Sequence, residues 1–529
     1  MAASTGTNVT EARDDKMPAG VPYIVSNEFA ERFCFYGINS ILTIYLVQFL
    51  HFTDAKGASW QSLFKSGAYL FPMIGAIVSD VFWGKFKTIM TFSMIYCAGC
   101  VSLALFSDTP TVIGLGLLMV AFGTGGIKPC VSTNVGDQFT SKNAHLIERA
   151  FSWFYMAINW GSSISIWFCP ILLNRYGPKL AFGMPAAMMF VATLVFWLGR
   201  KKFVVVPPAG KAWFKDVFSA EGGKLVVNLI VVYFFVACFW MLWDQSNGNT
   251  WTLQAQSSLM NKNLGFGIKV LPAQIQVVNG IFIIALIPVF TYVIYPFCAR
   301  FFEVTPLRRI GAGLFTVAAS FLIVGWIEAR IQSGHSVSAW WQILAYVVLT
   351  ASEILVSITA LEFSYKQAPL RMKSFIMALF LLSTSLGNLM IAGVNNAMIK
   401  PLHASAIETG SETWVTLTNA GQFVTGQKID FTGNNGIEVV GGKKPQPLEG
   451  TFLVSEIDTA GSRVRLMDVV ERAPLKTQGT YVATGEVATY YLVGPNYFYF
   501  FIVVMGIMGV IFIFVAKAYK EKTHVRVDA

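Results

Sequence analysis

The chain has 529 residues, of which 54% are hydrophobic and 13% charged, and its mean hydropathy is +0.56. Such a composition is too apolar for a soluble protein of this length, so we interpret the chain as one helical membrane bundle. The formal net charge of +10 is explained by basic cytoplasmic loops, and we expect no nucleic-acid partner.

The chain holds twelve apolar segments, each long enough to cross a hydrocarbon core of roughly 30 Å. An even number of spans places both termini on one side, and the excess of Lys and Arg in the tails and even-to-odd connections predicts that this side is cytoplasmic. The spans are predicted at 22–50, 58–82, 87–106, 111–134, 148–172, 181–199, 226–246, 271–299, 310–331, 339–364, 373–400 and 489–517.

The order of segments predicts two six-helix halves related by an axis along the membrane normal. The N-terminal tail is polar and lacks the apolar core of a signal peptide. The predicted divisions are the cytoplasmic N-terminal tail (1–21), the N-terminal bundle (22–199), a cytoplasmic linker (200–225), helices 7–11 of the C-terminal bundle (226–403), an insert (404–488), helix 12 (489–517) and a cytoplasmic tail (518–529).

Residues 404–488 differ in pattern from the spans around them. Apolar and polar residues alternate there in short runs, and Gly and Asn turn signals separate the runs. This pattern predicts a small all-β insert on the periplasmic side between helices 11 and 12. The segment has no Cys and no glycosylation sequon, which favours a bacterial protein.

The seven cysteines all lie in or beside predicted spans, and their spacing matches no metal site. We interpret them as small apolar residues in a reducing setting, without disulfides.

Three charges lie within the first span. Glu28, Glu31 and Arg32 occupy positions i, i+3 and i+4, so they share one helix face, which Tyr36 and Asn39 continue. Each ionisable side chain inside a bilayer costs roughly 2.5–3.5 kcal/mol, so such residues usually face a wet cavity and have a function there. The alternative is a self-neutralising trio that only packs helix 1 against its neighbours.

The run Glu28-x-x-Glu31-Arg32-Phe33-x-Phe35-Tyr36-Gly37 resembles the first-helix signature of the proton-coupled oligopeptide transporters. Segments 122–129 and 154–162 resemble further signatures of that family, and Gly75…Asp80…Gly84-Lys85 resembles the major facilitator loop motif. The resemblance covers all twelve helices and leaves only 404–488 outside. It implies an all-α membrane protein with the 12-helix major facilitator fold, with Asp80 and Lys85 in gating; for these two, a tight interfacial turn is the alternative.

Lys128 in helix 4 falls in the same cytoplasmic half of the bundle as Glu28 and Glu31. A buried lysine needs a carboxylate, so we expect it to pair with one of these two. None of the five histidines lies in a predicted span, so any protons that cross the bundle must be carried by carboxylates. The candidates are Glu28, Glu31, Glu353 and Asp244. Arg32 and Lys128 are the cations that we expect to modulate them.

Glu353 lies near the middle of helix 10, the only such carboxylate of the second half. A zwitterionic peptide needs a negative site for its amine and a positive site for its carboxylate. Glu353 supplies the first, and Arg32 with Lys128 the second, which are also the roles that the resemblance implies. The predicted walls and hydrogen-bonding groups of the pocket are Tyr36, Tyr69, Tyr155, Asn159, Trp240 and Asn279. For each aromatic residue alone, simple packing is the alternative.

Three positions depart from the family pattern: Phe35 replaces a tyrosine, and Asn39 and Asn228 stand where arginines are usual. Asn39 and Asp244 have similar depths near the periplasmic mouth at 1.5 Å per residue. We therefore predict that Asp244 accepts a neutral hydrogen bond from Asn39 as part of the gate.

Together these features predict a proton:peptide symporter of a bacterial inner membrane. It would move di- and tripeptides by alternating access, with H⁺ as coupling ion and no cofactor or metal. The alternatives are a carrier of nitrate or another metabolite, whose relatives usually lack the helix 10 glutamate, and a non-transporting sensor. No nucleophile–base pair is found, so no enzyme is expected, and the oligomeric state stays open.

Overall fold

The structure is a computed structural model. It describes residues 15–106, 108–140, 142–208, 210, 220–265, 267–367, 373–433, 435–440, 445–482 and 484–519. Most of the predicted tails (1–14 and 520–529) and part of the linker (211–219) lie outside the described residues.

The predicted helical fold is confirmed. Eleven helices among the described residues are long and apolar enough to cross a membrane, and the first helix is of similar length but carries three charges. The helices are α1 (Val21–Gln48), α2 (Asp54–Trp83), α3 (Lys85–Leu105), α4 (Pro110–Asp137), α5 (Ile147–Tyr176), α6 (Pro178–Lys201), α7 (Ala220–Trp243), α8 (Pro272–Cys298), α9 (Pro306–Gln332), α10 (Ala339–Ser364), α11 (Lys373–Ala397) and α12 (Pro495–Ala518).

Close helix contacts position the charged residues. A Cβ on Gly75 of α2 would lie 2.6 Å from the backbone of Gly126 in α4, so these helices touch backbone to backbone. A Cβ on Gly161 of α5 would lie 2.4 Å from the carbonyl oxygen of Phe29, beside the α1 charges. Larger residues at these positions would push the helices apart. In α10, a π-helical turn (Ile354–Ile358) directly follows Glu353; such turns are frequent at functional sites.

A β insert follows α11, and its strands extend from 399 to 490, slightly beyond the predicted 404–488. A short parallel pair, β1 (Met260–Asn261) and β2 (Val337–Ser338), lies in the loops near it. The insert strands are β3 (Ile399–Leu402), β4 (Ala404–Glu408), β5 (Trp414–Leu417), β6 (Lys428–Thr432), β7 (Ile437–Val439), β8 (Gln446–Pro447), β9 (Gly450–Asp458), β10 (Arg463–Met467), β11 (Thr477–Gly479) and β12 (Glu486–Tyr490).

The insert forms two antiparallel sheets. Seven strands follow the order β3-β12-β6-β9-β10-β5-β4, and three follow the order β11-β7-β8. Alternate residues of the strands, such as Val415, Phe431, Val454 and Val464, form an apolar core separate from the cores of the two helical halves. The insert is therefore a folded unit of its own.

Hydrogen bonds join the two helical halves at the insert side. Asn39 bonds Asn247, Thr43 donates to the carbonyl oxygen of Gly248, and Ser66 bonds Ser385. These contacts close the insert side of the bundle. Tyr155, toward the opposite side, is 60% exposed. This arrangement is a conformation closed on the insert side.

Candidate functional site

The three α1 charges lie together, as their spacing predicts. Arg32 Nε lies 2.7 Å from Glu28 Oε1 and 2.9 Å from Glu31 Oε2. Thr124 of α4 donates to Glu31 Oε1 at 2.7 Å. All three charged side chains are buried, so the two carboxylates compensate the guanidinium where water is scarce. The cluster leaves one excess negative charge when both glutamates are ionised.

Lys128 does not contact either of these glutamates, so the predicted pairing is wrong in this conformation. Its buried Nζ has no hydrogen-bond partner in the part of the chain that the structure describes. It lies 4.2 Å from the ring centroid of Phe35 and 4.0 Å from that of Tyr69. Arg32 already occupies both carboxylates, and the two aromatic faces offer Lys128 a cation–π environment instead. Phe35, noted only as a departure from the family pattern, thus contacts a functional candidate.

A central cavity of about 200 Å³ lies between the two halves. Five of the predicted residues line it: Tyr36, Tyr155, Asn159, Asn279 and Glu353. Four others, Arg32, Tyr69, Lys128 and Trp240, are not among its lining residues. The predicted set is therefore split between the cavity lining, the two cations with Tyr69, which lies against Lys128, and Trp240, which packs against Trp243.

Glu353 is held in the cavity wall by two donors. Trp243 Nε1 lies 3.0 Å and Asn279 Nδ2 2.9 Å from its Oε2 atom. Asn279 also donates to Thr350 Oγ1 at 3.0 Å, so its amide orients the carboxylate. The Oε1 atom has no hydrogen bond within the described chain and stays available for a ligand. Trp243 was missed as a site residue; its indole N–H, three residues after Trp240, was the available signal.

Trp240 supports this wall from behind. Its ring packs edge-on against Trp243 with centroids 5.2 Å apart, and its own side chain is buried. Asn159 donates to the carbonyl oxygen of Tyr155 one helical turn away at 2.8 Å, which leaves its side-chain oxygen as an acceptor. The cavity therefore offers a carboxylate, an amide oxygen and aromatic walls.

The predicted bond between Asn39 and Asp244 is absent, and Asp244 has a charged partner. Lys65 Nζ of α2 lies 2.7 Å from Asp244 Oδ1, and Asn388 of α11 donates to Oδ2 at 2.6 Å. Asn39 bonds Asn247 Oδ1 at 3.1 Å and accepts from Gln61 at 2.7 Å.

Lys65 replaces Asn39 at this gate because its long side chain reaches Asp244 from a neighbouring helix. Sequence reasoning missed Lys65, although a lysine in the middle of an apolar span is itself the signal of a buried charge partner. The pair joins the two halves, with side chains 2% and 3% exposed.

At the loop motif, Lys85 forms an ion pair with Asp137 at the end of α4. Asp80 lies in the π-helical turn that ends α2 and is half-buried. Both members of the Lys85 pair belong to the N-terminal half, so the contact ties α3 to α4 within it.

The model of the family described as the POT family matches residues 86–221 and 213–415, more than half of the chain. The chain belongs to the POT family. This family consists of transporters, in agreement with the expectation that the chain is not an enzyme.

Named relatives agree with the family. The chain is 36% identical over 362 residues to "Peptide transporter family 1" of Drosophila melanogaster, covering 60% of this chain and 48% of that protein. It is 34% identical over 393 residues to "Solute carrier family 15 member 2" of Oryctolagus cuniculus, covering 65% of this chain and 53% of that protein. The chain thus spans about half the length of the curated relatives it matches.

Solved structures match the fold. The POT family transporter PepTSo is 33% identical, with a TM-score of 0.67, over 72% of this chain and 90% of that chain. A structure described as an "auto inhibited POT family peptide transporter" is 26% identical, with a TM-score of 0.72, over 97% of this chain and 99% of that chain. The second match includes the insert, so this arrangement of bundle and insert occurs in another POT protein.

Proposed function

We propose that this protein is a proton-coupled symporter of di- and tripeptides that works by alternating access. The single observation that carries the proposal is Glu353, a carboxylate with one uncommitted oxygen, fixed in the wall of a cavity between the two halves. A bound peptide amine would be paired there. The names of the relatives, which are peptide transporters, support the substrate class.

In this proposal the peptide lies across the cavity with its amine at Glu353 and its carboxylate toward Arg32 and Lys128. Tyr36 and Tyr155 form the walls, and Asn159 and Asn279 contact backbone amide groups. Tyr69 and Trp240 act by packing, since Tyr69 lies against Lys128 and Trp240 lies behind Trp243. A wet cavity with few fixed polar groups suits a substrate whose side chains vary.

Glu28 and Glu31 couple the proton, because they hold the Arg32 guanidinium away from the cavity lining. Proton binding to either carboxylate removes one of the two charges that hold Arg32. The cation is then free to bind the peptide carboxylate, so proton and peptide favour each other's binding. H⁺ is the coupling ion, and no cofactor is needed.

Alternating access requires that the insert-side contacts break. The Lys65–Asp244 pair and the Asn39–Asn247 bond join the halves there, and both must part when that side opens. We also assign Asp80 and Lys85 to the gate on the opposite face, where the loop motif lies. In the proposed orientation that face and both termini are cytoplasmic and the insert is periplasmic, in the inner membrane of a bacterium.

A carrier of nitrate or another anion fits the cavity less well, because Glu353 would repel the substrate. A non-transporting sensor is the other alternative, and the folded insert is the feature that would serve it. Neither alternative explains why Glu353 of the C-terminal half lies in the cavity wall while Arg32 and Lys128 of the N-terminal half lie near the cavity.

Uptake of labelled dialanine into proteoliposomes at two external pH values tests the proposal. We expect accumulation that rises with an inward proton gradient and collapses with a protonophore. Binding without uptake would favour a sensor, and competition by nitrate but not by tripeptide would favour an anion carrier.

A further inference from the structure

A second cavity, the outer cavity, lies where the insert meets both helical halves. It has a volume of about 130 Å³. Its lining comes from the start of α2, the segment 250–257 that follows α7, the end of α9, the ends of α11 and α12 that flank the insert, and the insert itself. It shares no lining residue with the central cavity, so it is a separate site.

One charged pair in this lining is already satisfied. Lys428 of β6 donates to Asp54 Oδ2 of α2 at 2.6 Å, and Thr451 of β9 accepts from the Asp54 backbone N–H at 2.8 Å. These bonds attach the insert to the N-terminal half. They leave no excess charge from this pair in the cavity.

Two further charges of opposite sign line the cavity without pairing to each other. Glu328 of α9 accepts one hydrogen bond, from Gln254 at 2.8 Å, and this bond uses only its Oε2 atom. Within the described residues, the Arg472 guanidinium has no hydrogen bond or ion pair. Burial lowers the pKa of Arg472, and the nearby Glu328 carboxylate opposes that shift. A carboxylate and a guanidinium thus share one cavity while each keeps free bonding capacity.

Hydrogen bonds order the turn that carries Arg472. Asp468 Oδ1 accepts from the backbone N–H groups of Val470 and Glu471 at 2.8 and 2.7 Å, and the Arg472 N–H donates to the Asp468 carbonyl oxygen. Arg472 itself has φ of 57°, a left-handed conformation that non-glycine residues seldom adopt. The turn therefore fixes the position of the Arg472 backbone beside the cavity at a conformational cost.

Three amide side chains in the lining each have one polar atom without a partner. Gln254 Oε1, Gln256 Nε2 and Asn395 Nδ2 are buried and have no hydrogen bond within the described residues. Buried polar groups are usually bonded, so such a group of exceptions indicates a missing ligand or water. Acceptor and donor atoms are both present, as a peptide group would require.

From this constellation we infer that the outer cavity is a binding site for a small zwitterion, an amino acid or a dipeptide. Its ammonium group binds Glu328 and its carboxylate binds Arg472. The volume holds on the order of ten water-sized groups, comparable to the non-hydrogen atoms of a dipeptide. The choice of a peptide as occupant rests on the proposed function. The charges alone specify the zwitterion.

The site would be occupied while the central cavity is closed on the insert side. A ligand bound to Glu328 and Arg472 contacts α9 and the insert, which both belong to the C-terminal half, next to the Lys428–Asp54 pair that attaches the insert to the N-terminal half.

The test is the stoichiometry of labelled dialanine binding to the purified full chain. We expect two sites in the parent, one in Glu353→Gln, one in Glu328→Gln or Arg472→Gln, and none in a variant that combines Glu353→Gln with Arg472→Gln. Loss of a charged hydrogen bond should weaken the affected site tenfold or more. Arg472→Lys, on the Glu353→Gln background, should retain part of the outer binding.

Arg465→Gln is the matched control, because Arg465 is an insert arginine paired with Glu412 and Glu456 instead. It should keep both sites. N-Acetylalanine amide, which lacks both charges, should not compete at the outer site, and this readout does not depend on any variant that fails to fold.

The outcomes separate the two proposals. Binding that is lost completely in Glu353→Gln and unaffected by the Glu328 and Arg472 variants would overturn the outer site and keep the proposed function. Binding that is lost only in the Glu328 and Arg472 variants would keep the outer site and overturn the central one. No binding to the parent would overturn both.

Discussion

Replacing Asp244 by Asn should open the insert side of the bundle. Asp244→Asn leaves Lys65 without its carboxylate in a position where the Lys65 side chain is 2% exposed. Removing one member of a buried ion pair costs about 3–5 kcal/mol, because the remaining charge is uncompensated. This free-energy cost applies only to the state that is closed on the insert side, because opening that side exposes the Lys65 ammonium group to water. At the lower value, the equilibrium should shift by roughly a hundredfold toward the state open on the insert side.

The assay is the labelling rate of a single cysteine in an otherwise cysteine-free protein. Ser66 is a suitable position, because it is buried and bonds Ser385 of the other half. Ser66→Cys should react slowly with an impermeant maleimide in the parent and much faster with Asp244→Asn. The double variant Lys65→Leu with Asp244→Leu should return toward the parent rate, because an apolar pair often replaces a buried ion pair without loss.

Glu362→Gln is the control, since it breaks the exposed Lys366–Glu362 pair within one helix. It should not change the labelling. Equal rates for Asp244→Asn and the parent would refute the reasoning that this pair closes the insert side.

Four further predictions follow from the site and the insert. Glu353→Gln should weaken dipeptide binding about tenfold or more while N-acetylated analogues bind as before, measured by competition. Glu28→Gln or Glu31→Gln should abolish proton-driven accumulation and spare part of peptide exchange, measured in proteoliposomes. Replacing 408–486 by a Gly/Ser linker should preserve uptake per folded molecule. Burial raises the pKa of Asp430 to about 7, above its ordinary 3.8. The contribution of Asp430 to the stability of the folded state is therefore greatest below pH 3.8 and is lost as pH rises toward 7. Asp430→Asn should flatten this pH dependence, measured by thermal unfolding.

Each of these has a result that would contradict it. Equal losses of affinity for dipeptides and acetylated analogues would show that Glu353 does not bind the peptide amine. Undiminished accumulation in both glutamine variants would place coupling elsewhere. An inserted but inactive linker variant would give the insert a required part in transport. An unchanged pH dependence after substitution of Asp430 would assign the titration to another group.

Much of the fold could be predicted from the sequence because a bilayer constrains it so strongly. Every span needs about twenty apolar residues, so the twelve helices stand out by length alone. The β insert was recognisable because its alternation has a period of two rather than 3.6. Its first strand, Ile399–Leu402, was missed because the predicted span 373–400 already included Ile399 and Lys400, and Pro401 interrupts the strand pattern.

The site could be predicted only in part, because sequence identifies charges but not their partners. Glu353 and the α1 charges were found from the cost of burying them. Lys128 and Asp244 were given the wrong partners, because helical depth does not specify the azimuth at which a side chain leaves its helix. Lys65 reaches Asp244, and Trp243 reaches Glu353, only once α2 and α7 are packed in three dimensions.

We expect the insert to act on the conformational equilibrium rather than on the chemistry of the central cavity. No described residue of 399–490 lines that cavity, whereas Lys428 binds Asp54 of the N-terminal half. The insert is joined covalently to α11 and α12 of the C-terminal half, so this ion pair must break whenever the halves separate on that side. Removing the insert would therefore remove contacts of the closed state and none of the groups around Glu353. We therefore expect the bundle alone to contain every residue that the proposed transport cycle requires, and the insert to change how often the cycle reaches its open state.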